Sequence, residues 1–179
     1  MKILYILFIL LIVCSCNDND EQIYKNCVEN KQMDNWITES FKSNYSIQFP
    51  SNYEGQGMVG FEGNMFSKIR SDSLVELSYI YCSPLYCEDF GALLFEPIPS
   101  SIFAYNKQNT EVELTEQVLF CQNDDETALF YHNMEDKAVG KLYMKIDSLY
   151  LEAVLVFYDI DEHQEIENIL KTIKSSPAQ

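Results

Sequence analysis

Positive charge is what this sequence has least of. Lys and Arg number 12 against 28 Asp and Glu, a net charge of −16 at pH 7. A field of that sign repels nucleic acid and anionic lipid head groups, so no nucleic-acid partner is expected. Histidine is nearly missing, with only His132 and His163 present. There is no CxxC and no HxxxH spacing, so the cysteines with His132 make a poor zinc set. There is no GxSxG elbow, and no cysteine has a histidine placed by sequence to activate it. Repeats and low-complexity stretches are also missing. These absences leave no catalytic residue, no cofactor and no metal to assign, and enzymatic activity is not expected. Long apolar runs are wanting too: Ile3 to Val13 is well short of the roughly 20 residues that a membrane-spanning helix needs.

That short run is informative for where it lies. Lys2 precedes it and small residues follow, which is the layout of a secretory signal peptide. Two cut sites compete in "IVCSCNDNDE". A cut before Cys14 places bulky Val13 at the scissile bond, whereas a cut before Cys16 places Ser15 there. The second resembles the lipobox of bacterial lipoproteins, whose first mature cysteine carries a diacylglycerol. The resemblance makes Cys16 the lipid attachment site and Cys14 part of the discarded peptide. A plain secretory signal, leaving Cys16 as an ordinary thiol, is the blander alternative. Each buried methylene contributes about 0.8 kcal/mol, and the several chains of a lipoprotein suffice for stable anchoring. The expected location is the bacterial cell envelope, with the outer membrane first and the membrane reached through the anchor on Cys16. The acidic run Asp18 to Glu21 has no apolar residue and reads as a solvated tether. It also resembles a surface-export signal of some Gram-negative lipoproteins, although an early Asp elsewhere acts as an inner-membrane retention signal.

The expected organisation is a signal peptide over 1–15, a lipidated tether over 16–34 and one globular domain over 35–175. A chain of this length buries about 70% of its unfolded surface. The 47% hydrophobic content, with 12 Tyr and 11 Phe, argues for a packed core. Besides Cys16 the exported part keeps Cys27, Cys82, Cys87 and Cys121, which allow three disulfide connectivities. The Ser83-Pro84 turn favours Cys82 with Cys87, which leaves Cys27 for Cys121. Four reduced thiols are the alternative.

Along the chain, Trp36, Ile37, Ser40 and Phe41 fit either a helical face or an edge strand. Tyr45 to Phe49 alternates and stops at Pro50, as a strand does. Residues 64–70 and 74–81 flank Ser71-Asp72-Ser73 as a hairpin. Residues 83–109 read as a long loop. Four later segments, 111–118, 127–132, 140–146 and 150–158, have strand character and short turns, which dictate an antiparallel meander. Ile166, Ile169, Leu170 and Ile173 form one stripe of a closing helix. Asp161 with Gln164 suggests a capping box, with Glu162 and Glu165 at the positive end of its dipole. Burying that stripe on the sheet gives an α+β domain, an antiparallel meander with a C-terminal helix packed on it.

This arrangement, from Trp36 and "YSIQFP" through "FYD" to the helix "EIENILKTIK", resembles the PsbP-like (Mog1/PsbP/DcrB) α/β/α sandwich. The resemblance spans most of 35–174, rests on pattern, and departs from the compact form at the long loop. It implies a protein that binds partners or assists assemblies, with no shared catalytic residues.

Four further features bear on chemistry. Gly55 to Gly60 matches GxGxxG, but Pro50 has already ended the strand and no helix opens after it, so a glycine-rich loop is expected instead of a dinucleotide site. Asn123 to Glu126 is a solvated turn and lacks the ligand pattern of a calcium loop. Tyr79, Tyr81, Tyr86 and Phe90 are expected mainly in the core, with a contact surface as the sharper alternative. His132 and His163 are expected at the surface or at a cap. The functional expectation is a non-enzymatic, lipid-anchored envelope protein that binds an unidentified protein partner or stabilises a complex. The alternatives are an immunity-type lipoprotein that neutralises a basic toxin, or a redox protein built on Cys82 and Cys87.

Overall fold

The computed structural model describes residues 27–41, 45–55, 57–60, 63–82, 99–123, 126–133, 137–145 and 151–175. The signal segment, Cys16, Cys87 and the aromatic residues Tyr86 and Phe90 lie outside them, as do the side chains of Tyr81 and Cys82.

The meander is present. Strands β9 (Glu116–Asn123), β10 (Glu126–His132), β11 (Lys137–Lys145) and β12 (Leu151–Asp159) pair in sequence, all antiparallel. The early hairpin is present too, as β5 (Gly63–Arg70) and β6 (Val75–Cys82). Its turn is stabilised locally. Asp72 Oδ1 accepts the Leu74 N–H at 3.0 Å, Ser73 N–H donates to the Arg70 carbonyl at 2.7 Å, and Ser73 takes a positive φ of 63°. The hairpin joins the meander through its last strand, since β6 pairs with β12. The main sheet therefore runs β3-β5-β6-β12-β11-β10-β9, where β3 is Tyr53–Glu54. Mostly antiparallel sheet with one short C-terminal helix is the architecture.

Three details differ from the sequence reading. The stretch 111–118 is not one strand. It breaks at Thr115 into β8 (Glu111–Leu114) and β9, which enter different sheets. The supposed loop 83–109 contains β7 (Ile102–Tyr105), which pairs with β8 as a separate two-stranded hairpin. The GxGxxG stretch supplies β4 (Gly57–Gly60), a strand pairing with β5, and not a loop.

The ambiguous segment is a strand, β1 (Ile37–Phe41), at the edge of a second sheet ordered β1-β2-β13, where β2 is Tyr45–Phe49 and β13 is Lys174–Ser175. All five residues of β2 are buried despite their alternation. Its apolar residues enter the core, and its polar ones are covered by other chain segments. Gln48 N–H donates to Thr172 Oγ1 at 2.8 Å, and Gln48 Oε1 accepts the Met33 N–H at 2.9 Å.

The closing helix α1 covers His163–Leu170, after a 3-10 turn at Ile160–Glu162. The expected capping box does not form: the N-cap is Glu162, and no side-chain cap bond is made. Ile173, the last residue of the apolar stripe, lies past the helix end but is fully buried with Ile166, Ile169 and Leu170. An eight-residue helix is marginal alone, so burial of these aliphatics, worth at most about 2 kcal/mol each, holds it in place.

The main sheet is covered on both faces. One core gathers Tyr45, Ile47 and Phe49 of β2, the helix stripe, and inward residues of the meander such as Phe130, Leu142 and Val156. The other lies under the β7–β8 hairpin and joins Ile102, Ala104 and Leu114 to Leu129, Tyr131, Val139 and Tyr143. Strict alternation along β10 assigns Phe130 to the first core and Leu129 and Tyr131 to the second.

Residues 27–34, expected as tether, lie against the domain. Val28 forms a parallel bridge with Phe120, accepting from Cys121 N–H at 2.9 Å and donating to the Leu119 carbonyl at 2.7 Å. Cys27 is disulfide-bonded to Cys121 across 94 residues of sequence. The arm thus covers the free edge of β9, an edge that would otherwise offer unpaired backbone groups to other chains.

Candidate functional site

Charged and titratable groups cluster first where α1 meets the sheet. Arg70, at the end of β5, has a side chain only 7% exposed. Its guanidinium reaches Glu162 at 2.5 Å, Asp72 at 2.9 Å and Glu165 at 3.2 Å, and Tyr53 Oη donates to Glu165 at 2.5 Å. The hydrogen bond from Arg70 holds the Glu162 and Asp72 carboxyls below their usual range. Burial, then the bond to Glu165, pushes the Tyr53 phenol up. Glu162 and Glu165 are thereby tied to a specific cation and do not act only on the helix dipole. Three carboxylates surround one arginine, and the cluster fastens the helix entry to β5.

The two histidines, expected at the surface or at a cap, meet at the start of the same helix. Their ring centroids are 4.6 Å apart, and Phe130 stacks on His132 at 5.1 Å. Tyr158 Oη and His163 Nδ1 are 3.2 Å apart, and His163 Nε2 lies 3.3 Å from Glu167. His132 is 5% exposed and its Nδ1 has no hydrogen-bond partner. Burial, reinforced by His163, lowers its pKa to about 4, so it is neutral at pH 7. Among the described residues no three His, Cys, Asp or Glu side chains are placed to hold a metal ion. Cys27 and Cys121, bonded to each other, are not available as thiolate ligands.

The opposite face of the molecule differs in character. The β7–β8 hairpin is built by its turn. Asn106 Oδ1 accepts the N–H groups of Gln108 and Thr110 at 3.0 and 2.9 Å, and Asn109 takes a positive φ of 57°. Period-two alternation then divides the hairpin. Ile102 and Ala104 face the sheet, whereas Phe103 and Tyr105 face solvent, 51% and 58% exposed. Register sets Phe103 opposite Glu113 and Tyr105 opposite Glu111, both glutamates being exposed. The two rings and the two carboxylates therefore share one outward surface. Glu113 accepts from Ser101 Oγ at 2.7 Å, which leaves its charge in place.

Beside the hairpin turn a cleft of about 280 Å³ opens between Ser73-Leu74, Lys107-Gln108 and the β12 residues Phe157 to Asp159. Its one cation is already engaged, since Lys107 lies 2.8 Å from Glu76 and over the Phe157 ring at 5.6 Å. The cleft has room for a side chain, and the other charged group in its lining is Asp159.

Tyr79, one of the aromatics considered for a contact surface, is buried in the core. Among the described residues the exposed aromatics are instead Phe103 and Tyr105, in the stretch expected to be loop. Their alternation with Ile102 and Ala104, just before an Asn-rich turn, was the available signal.

No family model matches the chain, and no curated protein matches it. Among solved structures it is similar to cyanobacterial PsbP (CyanoP) from Synechocystis sp. PCC 6803. The TM-score is 0.47 at 8% identity, over 84% of this chain and 98% of that one.

Proposed function

We propose that this protein is a non-enzymatic, lipid-anchored component of the bacterial cell envelope that docks a protein partner on the outer face of its β7–β8 hairpin. The observation that carries the reading is that outer face. Phe103 and Tyr105 are the two most exposed of the large hydrophobic side chains among the described residues, and they sit two residues apart on one strand. Rigid aromatics presented on a supported hairpin are typical anchors of protein contacts. The anchor on Cys16 and the envelope location rest on the apolar run, the small residues before Cys16 and the acidic stretch after it.

Two measurements test the reading together. Intact mass of the protein from its native membrane is expected to show a lipidated Cys16 as the first residue. A photo-crosslinking residue at position 103 is expected to capture one defined partner, whereas the same group on the sheet's other side, at Ile37, captures none. Equal labelling from both positions, loss of nothing in Phe103→Ala/Tyr105→Ala, or an unlipidated mature chain would overturn the corresponding half.

A further inference from the structure

The chemistry of the partner can be read from the same hairpin face, and this step rests on the docking role proposed above. Each exposed ring is matched across the strand pair by a carboxylate, Phe103 by Glu113 and Tyr105 by Glu111. A ring face and an adjacent anion together recognise a cation, through its attraction to the ring quadrupole and its pairing with the carboxylate. The two ring–carboxylate pairs are one i, i+2 step apart, about 6.5–7 Å along the strand. An extended polypeptide repeats its side chains at that same interval.

The local cations do not neutralise the face. Lys141 Nζ is hydrogen-bonded to the Phe103 carbonyl at 2.9 Å, and Lys107 is paired with Glu76. Other occupants meet charge of the wrong sign. A second copy carries −16 itself, and nucleic acid and anionic lipid are repelled by the same field. A basic partner is attracted to it.

We infer that the outer face of the β7–β8 hairpin binds an extended basic segment of a partner protein, with Lys or Arg at alternate positions seated on the Phe103–Glu113 and Tyr105–Glu111 pairs. Short synthetic peptides serve as probes against the full-length protein in detergent. One alternates Lys with Ser or Thr, a second has the same composition with its lysines in one block, and a third replaces Lys by Glu.

The alternating peptide is expected to bind at least fivefold more tightly than the blocked one, and to weaken steeply as salt rises. Glu111→Gln/Glu113→Gln and, separately, Phe103→Ala/Tyr105→Ala are each expected to weaken it tenfold or more. All four side chains point to solvent, so the fold is retained, which circular dichroism checks directly. Equal binding of alternating and blocked peptides, or binding untouched by the aromatic double variant, reduces the effect to bulk charge and overturns the inference. Binding of the Glu peptide overturns it as well. Should the crosslink from position 103 persist while no basic peptide binds, the docking role stands and the basic-segment inference falls. Should both fail, the hairpin is not a docking face at all.

Discussion

Acid should destabilise this protein through one buried histidine, and the size of the effect follows from its surroundings. His132 sits between Phe130 and His163, 5% exposed, with its Nδ1 unpartnered. Of the groups facing it, His163 and the burial itself oppose its charging. Glu167 favours charging, and Tyr158 is bonded to His163. The folded pKa is about 4, whereas the unfolded chain has a value near 6.5. Because the folded value is depressed, the unfolded state takes up the proton first as pH falls. Stability is therefore full above pH 6.5, declines between 6.5 and about 4, and stops declining from this cause below that.

The loss between pH 7 and 4.5 is about 2.5 kcal/mol. Urea unfolding at half-unit pH intervals reads it as a falling midpoint at constant slope. His132→Leu keeps a similar volume and removes the proton site, so its stability should lose most of that pH dependence while its m-value is unchanged. Glu167→Gln removes the one group that favours His132 charging, and the ring titration followed by NMR should move lower still. If wild type and His132→Leu fall in parallel over this window, or if the His132 ring titrates near 6.5, the buried-neutral assignment is wrong.

Other perturbations have comparably definite expectations. Replacing Cys27 and Cys121 by Ser opens a loop that spans 94 residues of sequence, and the chain-entropy account puts the loss at about 4.5 kcal/mol. Hydrogen exchange should speed up at the Cys121 amide, which donates to Val28, and unchanged protection there would show that the arm stays docked without the bond. Arg70→Met leaves Glu162 and Glu165 without their shared cation and should cost about 2–4 kcal/mol in a denaturant melt; a loss below 1 kcal/mol would mean that solvent replaces it freely. Gly140→Ala drives a methyl group into the Phe130 ring and should cost about 1–3 kcal/mol, relieved in part by Phe130→Leu; an additive double variant would refute the clash.

The meander was legible in sequence because its strands send alternate residues into opposite cores and short turns forced antiparallel pairing. The helix stripe was legible for the same reason, its period matching one buried side. Four features were not. Glu111 to Val118 reads as one alternating strand, and the single local mark of the change of sheets at Thr115 is Glu116, a polar residue where the alternation calls for an apolar one. The meeting of His132 with His163 depends on how α1 lies across β10, a tertiary fact that neither local neighbourhood contains. The capping box failed because Glu162 has a stronger use: Arg70, far away in sequence, draws it into an ion pair, and the helix begins after it. The outward aromatics were hidden by the prior that aromatic residues are core, which holds for Tyr79 and fails for Phe103 and Tyr105.

The charge balance has a spatial logic that the net value conceals. Among the described residues, most of the cations are internally committed. Lys68 pairs with Glu39 at 2.5 Å, Arg70 with the helix entry, Lys107 with Glu76 and Lys171 with Glu167 at 3.4 Å, while Lys141 caps the Phe103 carbonyl. Each ion pair cancels one positive charge against one carboxylate, so the net excess of acids is carried by carboxylates outside these pairs, exposed Glu111 and Glu113 among them. The more exposed of these pairs, Lys107–Glu76 and Lys171–Glu167, add little stability, typically under 1 kcal/mol. Their larger consequence is electrostatic: a basic partner meets carboxylates with few competing cations, and its association rate should fall with ionic strength while its dissociation rate, set by the aromatic contacts, changes much less. Stopped-flow or surface-based kinetics at 20 and 200 mM salt would separate the two. A dissociation rate that carries the whole salt effect would mean that the rings contribute nothing once the charges have met.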